Sequence, residues 1–259
     1  MNLDFTVRKY EELLLALKNK GYGAITFAEY MQGNRPERFV VLRHDVDAKP
    51  ENSLVMARLE HYLGLKASYY FRAVKESWDE EIIKKIASLG HEVGYHYESL
   101  TTCKGDLTEA YKDFGANLKR LRDLVDVKTI CMHGSPRSPY DNRLLWQQRR
   151  YRELGLIGEP YMDVDYTQVF YLTDTGRRWD GFKVSVRDKI PEHQDRWCQQ
   201  GWVFHSTDDI LEALDKERFP KQVMMTSHPQ RWNDSLLPWT KELVMQGIKN
   251  VVKSWLIRI

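Results

Sequence analysis

Four apolar stretches of this chain run into residues that can do chemistry. Phe39 to Asp47, FVVLRHDVD, ends in His44, Asp45 and Asp47; His91 to Tyr97, HEVGYHY, carries His96 and is followed by Glu98; Thr129 to His133 ends in His133; Gln222 to Ser227 runs into His228. Each stretch is short, apolar and bounded by polar residues, glycine or proline, which reads as a buried strand. Two carboxylates flanking one residue, Asp45 and Asp47, repel each other, and one pKa must rise unless a cation stands beside them. Carboxylates and imidazoles together suit Zn²⁺ or a similar divalent ion, and a site with two or three protein ligands leaves room for an activated water. A lone histidine at a strand end usually means a hydrogen bond to nearby backbone, the reading given to His44, while His61, His193 and His205 have no constellation around them. Four coincident endings ask for a fold that brings them together.

The elements between them supply one. Tyr10, Leu13, Leu14 and Leu17 have helical spacing with Gly21 as a stop, and a short helix is expected over Thr26 to Met31. Pro50 can open a helix that ends at Gly64, and Ala67 to Phe71 is the next strand. Ile82, Ile83 and Ile86 stripe a helix over Asp79 to Leu89, and Leu107, Ala110, Tyr111, Phe114, Leu118 and Leu121 stripe another over Asp106 to Leu124. A helix over Leu144 to Leu154 and short strands near Leu156 to Gly158 and Gln168 to Leu172 follow. Asp174 to Trp202 loses the rhythm and is expected to be a long irregular excursion of functional use. A helix then begins at Thr207, and another closes the chain over Pro238 to Leu256. About seven strands alternating with helices predict a parallel sheet closed as a distorted (β/α) barrel, which sets all strand ends on one face. One domain is expected over residues 1–259, with the motif-bearing core at about 39–228.

Bulk properties exclude several classes. At 259 residues with 42% hydrophobic and 29% charged side chains, the chain has ordinary globular composition. A net charge of +2 offers no large positive excess, so no nucleic-acid partner is expected. Cys103, Cys131 and Cys198 are an odd, widely spaced set, unlike a disulfide framework or a zinc cluster. The opening MNLDFTVRKYEELLLALK has charges interrupting its apolar residues; neither a signal peptide nor a transmembrane segment is expected, and the predicted location is cytoplasmic.

The motifs resemble those of the NodB-type polysaccharide deacetylases, carbohydrate esterase family four. RHDVD is similar to that family's strand ending in two nearby aspartates, which implies Asp45 as general base and Asp47 as metal ligand. GHEVGYH, Gly90 to His96, resembles its second motif, implying His96 as a ligand and His91 as support for the turn. The family's second metal histidine would stand four residues on, where this chain has Leu100. The resemblance leaves three outcomes: Glu98 or His133 supplies the ligand, with His133 preferred; metal binds more weakly with more water; or the site holds none. RSPY resembles the arginine-containing third motif, which implies Arg137 beside the base or substrate, and MMTSHP implies His228 as general acid. Trp179 and Trp232 are candidates to stack on sugar rings, although indoles also serve simply as core.

The expected function is therefore a metal-dependent carbohydrate N-deacetylase, with Zn²⁺ as the expected ion. It would remove an N-acyl group, N-acetyl first, from an amino sugar on a nucleotide or lipid carrier in cell-surface polysaccharide biosynthesis. The alternative is a catalytically degenerate NodB-like fold that binds a saccharide or a partner enzyme. A hydrolase of phosphate or glycosidic bonds is a third reading, but glycosidase carboxyls need about 5 Å or more between them.

Overall fold

A computed structural model describes residues 3–135, 138–179 and 189–256. In chain order the elements are α1 (Val7–Asn19), β1 (Gly23–Ile25), α2 (Phe27–Met31), β2 (Phe39–Val46), α3 (Pro50–Tyr62), β3 (Ser68–Phe71), α4 (Glu80–Ser88), β4 (Glu92–Tyr97), α5 (Ser99–Thr102) and α6 (Leu107–Arg122). They continue with β5 (Ile130–Met132), α7 (Pro160–Asp163), β6 (Phe170–Thr173), α8 (Pro191–Gln199), α9 (Thr207–Asp215), β7 (Gln222–Ser227) and α10 (Leu236–Leu256).

The strand that begins at Phe39 is the centre of the sheet. All eight residues of β2 are buried, as a strand covered on both faces requires. It pairs with β7 from Phe39 beside Gln222 to His44 beside Ser227, and with β3 from Arg43 beside Ser68 to Val46 beside Phe71. Because β3 meets only its second half, the same edge is free near Phe39, where β1 pairs. The order is β5-β4-β3-β2-β7-β6, with every pairing parallel. The result is a distorted barrel of seven parallel strands. Its edge strands β5 and β6 do not pair, and the segment at α7 touches both: the Met132 N–H donates to Glu159 Oε1 just ahead of α7, and the Tyr161 hydroxyl lies 3.3 Å from that of Tyr171 on β6.

Most of the helical reading holds, for the reasons expected. Tyr10, Leu13, Leu14 and Leu17 are buried on α1 behind a Thr6 cap, and Ala110, Phe114, Leu118 and Leu121 on α6 behind an Asp106 cap. Three expectations need correction. Residues 144–154 form no α-helix but two 3₁₀ turns, Asn142–Trp146 and Tyr151–Leu154. Trp146 and Tyr151 are both buried, and five residues place them about 140° apart on an α-helix, too far to share one face. Leu156 to Gly158 contributes only a single bridge, Thr129 to Gly158, and the seventh strand is instead β1. The expected irregular stretch contains α8; its residues 180–188 lie outside those described.

Candidate active site

Alternation along β2 sorts its polar residues onto two faces. Arg43 and Asp45 point into the barrel, and His44 points outward, where its Nε2 lies 2.7 Å from Glu60 Oε1 beneath α3. Tyr10 and Tyr69 also donate to Glu60, which makes His44 part of a buried structural network. His91 is structural too: its ring spans the Ala57 carbonyl at 2.8 Å and the Ala67 N–H at 3.2 Å.

On the inner face Arg43 grips Asp45 with two parallel bonds, Nε to Oδ1 at 2.9 Å and Nη2 to Oδ2 at 2.5 Å, and both residues are buried. Arg43 is fixed in turn by Tyr161, whose hydroxyl lies 3.2 Å from Nη2. Two positions apart on a strand always means one face, so this pair was readable in RHD although the sequence reading passed over Arg43. Arg137, expected near the base, lies outside the described residues.

Past the strand end, Asp47 meets three histidines. Its Oδ1 is 3.5 Å from His133 Nε2 and 3.6 Å from His96 Nε2, and its Oδ2 is 3.9 Å from His228 Nε2. His96 Nδ1 sits 3.0 Å from the Cys131 carbonyl, which can only accept, so Nδ1 carries the proton. Burial pushes His96 down to about 4, against the pull of Asp45, so the ring is neutral with its lone pair on Nε2. His133 turns its Nδ1 toward Glu98, whose Oε2 lies 2.9 Å away and can accept from it. Burial alone would raise Glu98, but His133 and the forked contact from Arg72 hold it at about 2. Glu98 is thus the carboxylate behind a histidine rather than an open ligand.

These facts test whether a metal ion fits. Asp47 Oδ1 is buried with no hydrogen-bond partner among the described residues, and it faces two imidazole nitrogens with outer protons fixed on the far side. Separations of 3.5 and 3.6 Å are too long for hydrogen bonds and close to the roughly 3.4 Å between tetrahedral ligands at about 2.1 Å from one ion. Each of His96 and His133 thus stands at a separation from Asp47 Oδ1 that suits a shared divalent cation, with Cys131 O and Glu98 as the outer partners that orient histidine ligands. A second grouping, Asp45, His96 and Cys131, has donor atoms within 4.8 Å of one another. There, however, the Arg43 guanidinium engages both Asp45 oxygens, and a cation would meet its charge; the Asp47 group is the better candidate. Leu100, where the resembled family has histidine, is a core residue of α5, 3% exposed.

His228 follows β7 and is held by Asp174, the residue just after β6. Nδ1 lies 2.6 Å from Asp174 Oδ1, while Oδ2 accepts from the His228 backbone N–H and the Trp232 indole N–H, each at 2.9 Å. Arg231 also donates to Oδ1, at 2.5 Å. Burial and Arg231 push His228 down, but Asp174 and Asp47 outweigh them and leave its pKa above the ordinary histidine value. Nothing in the sequence marks Asp174 as the partner of His228, which stands 54 positions away.

The two candidate stacking indoles are corrected by burial. Trp179 is 0% and Trp232 1% exposed, packed on each other and on Phe5, so neither presents a face to a sugar. Trp179 donates to Thr207 Oγ1 and Trp232 to Asp174, the partners buried indoles require.

No family model matches the sequence, and no curated protein matches it. Among solved structures the chain is similar to a CE4 family pseudoenzyme from Bacillus anthracis, at 13% identity over 84% of this chain and 62% of that one, with a TM-score of 0.44. It is also similar to a mutant of the peptidoglycan deacetylase PdaC from Bacillus subtilis, at 13% identity over 85% and 98% with a TM-score of 0.39. A third is Bacillus subtilis PdaA, a family 4 carbohydrate esterase, at 9% identity over 92% and 84% with a TM-score of 0.42. The chain spans less than two thirds of the length of the first of these.

Proposed function

We propose that the protein is a metal-dependent hydrolase that removes an N-acyl group from an amino sugar. The observation that carries this reading is Asp47 Oδ1, buried without a hydrogen bond among the described residues and facing the Nε2 atoms of His96 and His133. Asp47, His96 and His133 would hold the ion, and Zn²⁺ suits one carboxylate and two imidazoles. When bound, the ion supplies a Lewis acid that lowers the pKa of water and polarises the amide carbonyl.

The chain's own groups supply the proton transfers. Asp45, fixed by Arg43, accepts a proton from water as the water oxygen bonds to the amide carbon. His228 Nε2, its other nitrogen bonded to Asp174, donates a proton to the amide nitrogen as the carbon–nitrogen bond breaks. The products are a carboxylic acid and a free amine. The amino-sugar substrate, N-acetylated first and on a nucleotide or lipid carrier, rests on the sequence resemblance to NodB-type deacetylases.

Acetate release from N-acetylglucosamine oligomers by zinc-loaded protein tests the proposal. Asp45→Asn is expected to lower turnover by about 10²–10⁴-fold with metal content unchanged. Turnover equal to wild type would remove Asp45 from its role, and stoichiometric metal without hydrolysis of any N-acyl sugar would leave only a binding function.

A further inference from the structure

The helix α10 is built inside out. A surface helix normally turns its apolar stripe inward and its polar face to water. Here the side facing the body carries Trp239, Gln246 and Asn250. The Trp239 indole donates to the Asp4 carbonyl at 2.7 Å, Gln246 is 2% exposed, and Asn250 donates to the Gly176 carbonyl at 2.9 Å. At 100° per residue, Leu237, Val244 and Ile248 fall on one line on the opposite side. They are 85, 56 and 58% exposed. Six of the thirteen large hydrophobic residues exposed among the described residues lie between Leu236 and Ile248, so this is one patch rather than scatter.

Charge indicates what covers the patch. Lys241 and Lys249 are exposed beside it, while Glu242 is half-buried and its charge acts on Arg177. After Glu242 the sequence has Lys249, Lys253 and Arg258 and no acidic residue. No helix among the described residues is long and apolar enough to cross a membrane. Apolar residues flanked by lysines on a helix that does not span are the signature of a segment lying in a bilayer interface.

We propose that α10 docks the protein on the surface of an anionic lipid bilayer. Its apolar face enters the headgroup region, and Lys241 and Lys249 meet lipid phosphates. The helix is fastened to Gly176, two residues after Asp174, so docking sets the His228 end of the barrel beside the membrane. That consequence rests on the proposed hydrolase reading and favours a lipid carrier for its substrate; the docking itself does not.

Co-sedimentation of the full chain with phosphatidylcholine vesicles, with and without phosphatidylglycerol, tests this, with oligomeric state measured in parallel by sedimentation velocity. Wild type is expected to bind the anionic vesicles about tenfold more tightly than the neutral ones. Val244→Asp and Ile248→Asp should each abolish binding with unchanged circular dichroism, and Lys241→Glu with Lys249→Glu should erase the preference for anionic lipid. Failure of wild type to bind anionic vesicles overturns the proposal, as does binding unaffected by Val244→Asp and Ile248→Asp. A dimer that these substitutions dissociate, with no vesicle binding, assigns the face to a second copy and overturns it equally. Because none of these readouts is catalytic, they fail or succeed independently of acetate release.

Discussion

In the proposed hydrolase His228, as general acid, must hold its proton until the leaving group needs it, and at the residue scale that burden falls on Asp174. Its carboxylate takes four donors, two of them from His228, and its charge raises the imidazole pKa against burial and Arg231. The acid works protonated, so activity is lost as pH rises through the His228 pKa. Asp174→Asn removes the charge that raises this pKa, and the basic limb of kcat/KM is expected to move to lower pH while the acidic limb stays. A pH–rate profile of the two proteins checks it; an unshifted basic limb would show that Asp174 has only a packing role. The aspartates and histidines at strand ends were legible in sequence because residue type and strand position coincide there. Asp174 was not, since only the barrel brings β6 and β7 side by side, and Trp232 stayed open between two roles because a core indole and a sugar platform look alike in sequence.

Position along β4 matters as much as residue type at the scale of elements. Gly94 pairs across the ladder with Tyr70, and a Cβ there would collide with the Tyr70 ring and stand 2.9 Å from the Thr129 carbonyl. Close approach of this kind explains the second glycine in GHEVGYH, Gly94. Gly94 and His96 share a face, two positions apart, so strain at one displaces the other. Gly94→Ala is expected to cost about 1–3 kcal/mol. For a chain of this size that lowers the melting temperature by roughly 2–4 °C per kcal/mol, which calorimetry measures directly. A melting temperature equal to wild type would mean that Tyr70 moves aside without strain. Long periodic elements such as α1 and α6 were readable, whereas β1 has three residues, too few for a period to show, and the 142–154 segment has apolar residues whose spacing fits no single face.

The whole molecule turns a sequence pattern into a site. Parallel pairing of β2 with β3 and β7, and of β4 with β5, sets Asp45, Asp47, His96, His133 and His228 at one end of the barrel, although they are spread along most of the chain. The fold class was legible because alternating strands and helices admit few topologies. The way the sheet edges meet was not: the segment Glu159 to Tyr161 touches β5 through Glu159 and β6 through Tyr161, and burial pushes the Glu159 carboxyl up to about 7. The central claim is that Asp47, His96 and His133 form one metal centre, and the direct measurement is zinc titration by calorimetry on chelator-stripped wild type, His96→Ala and His133→Ala. The expected result is one equivalent bound by wild type, with affinity lower by about 100-fold or more in both variants while circular dichroism is unchanged. Absence of zinc binding by wild type, or wild-type affinity in both variants, would contradict it.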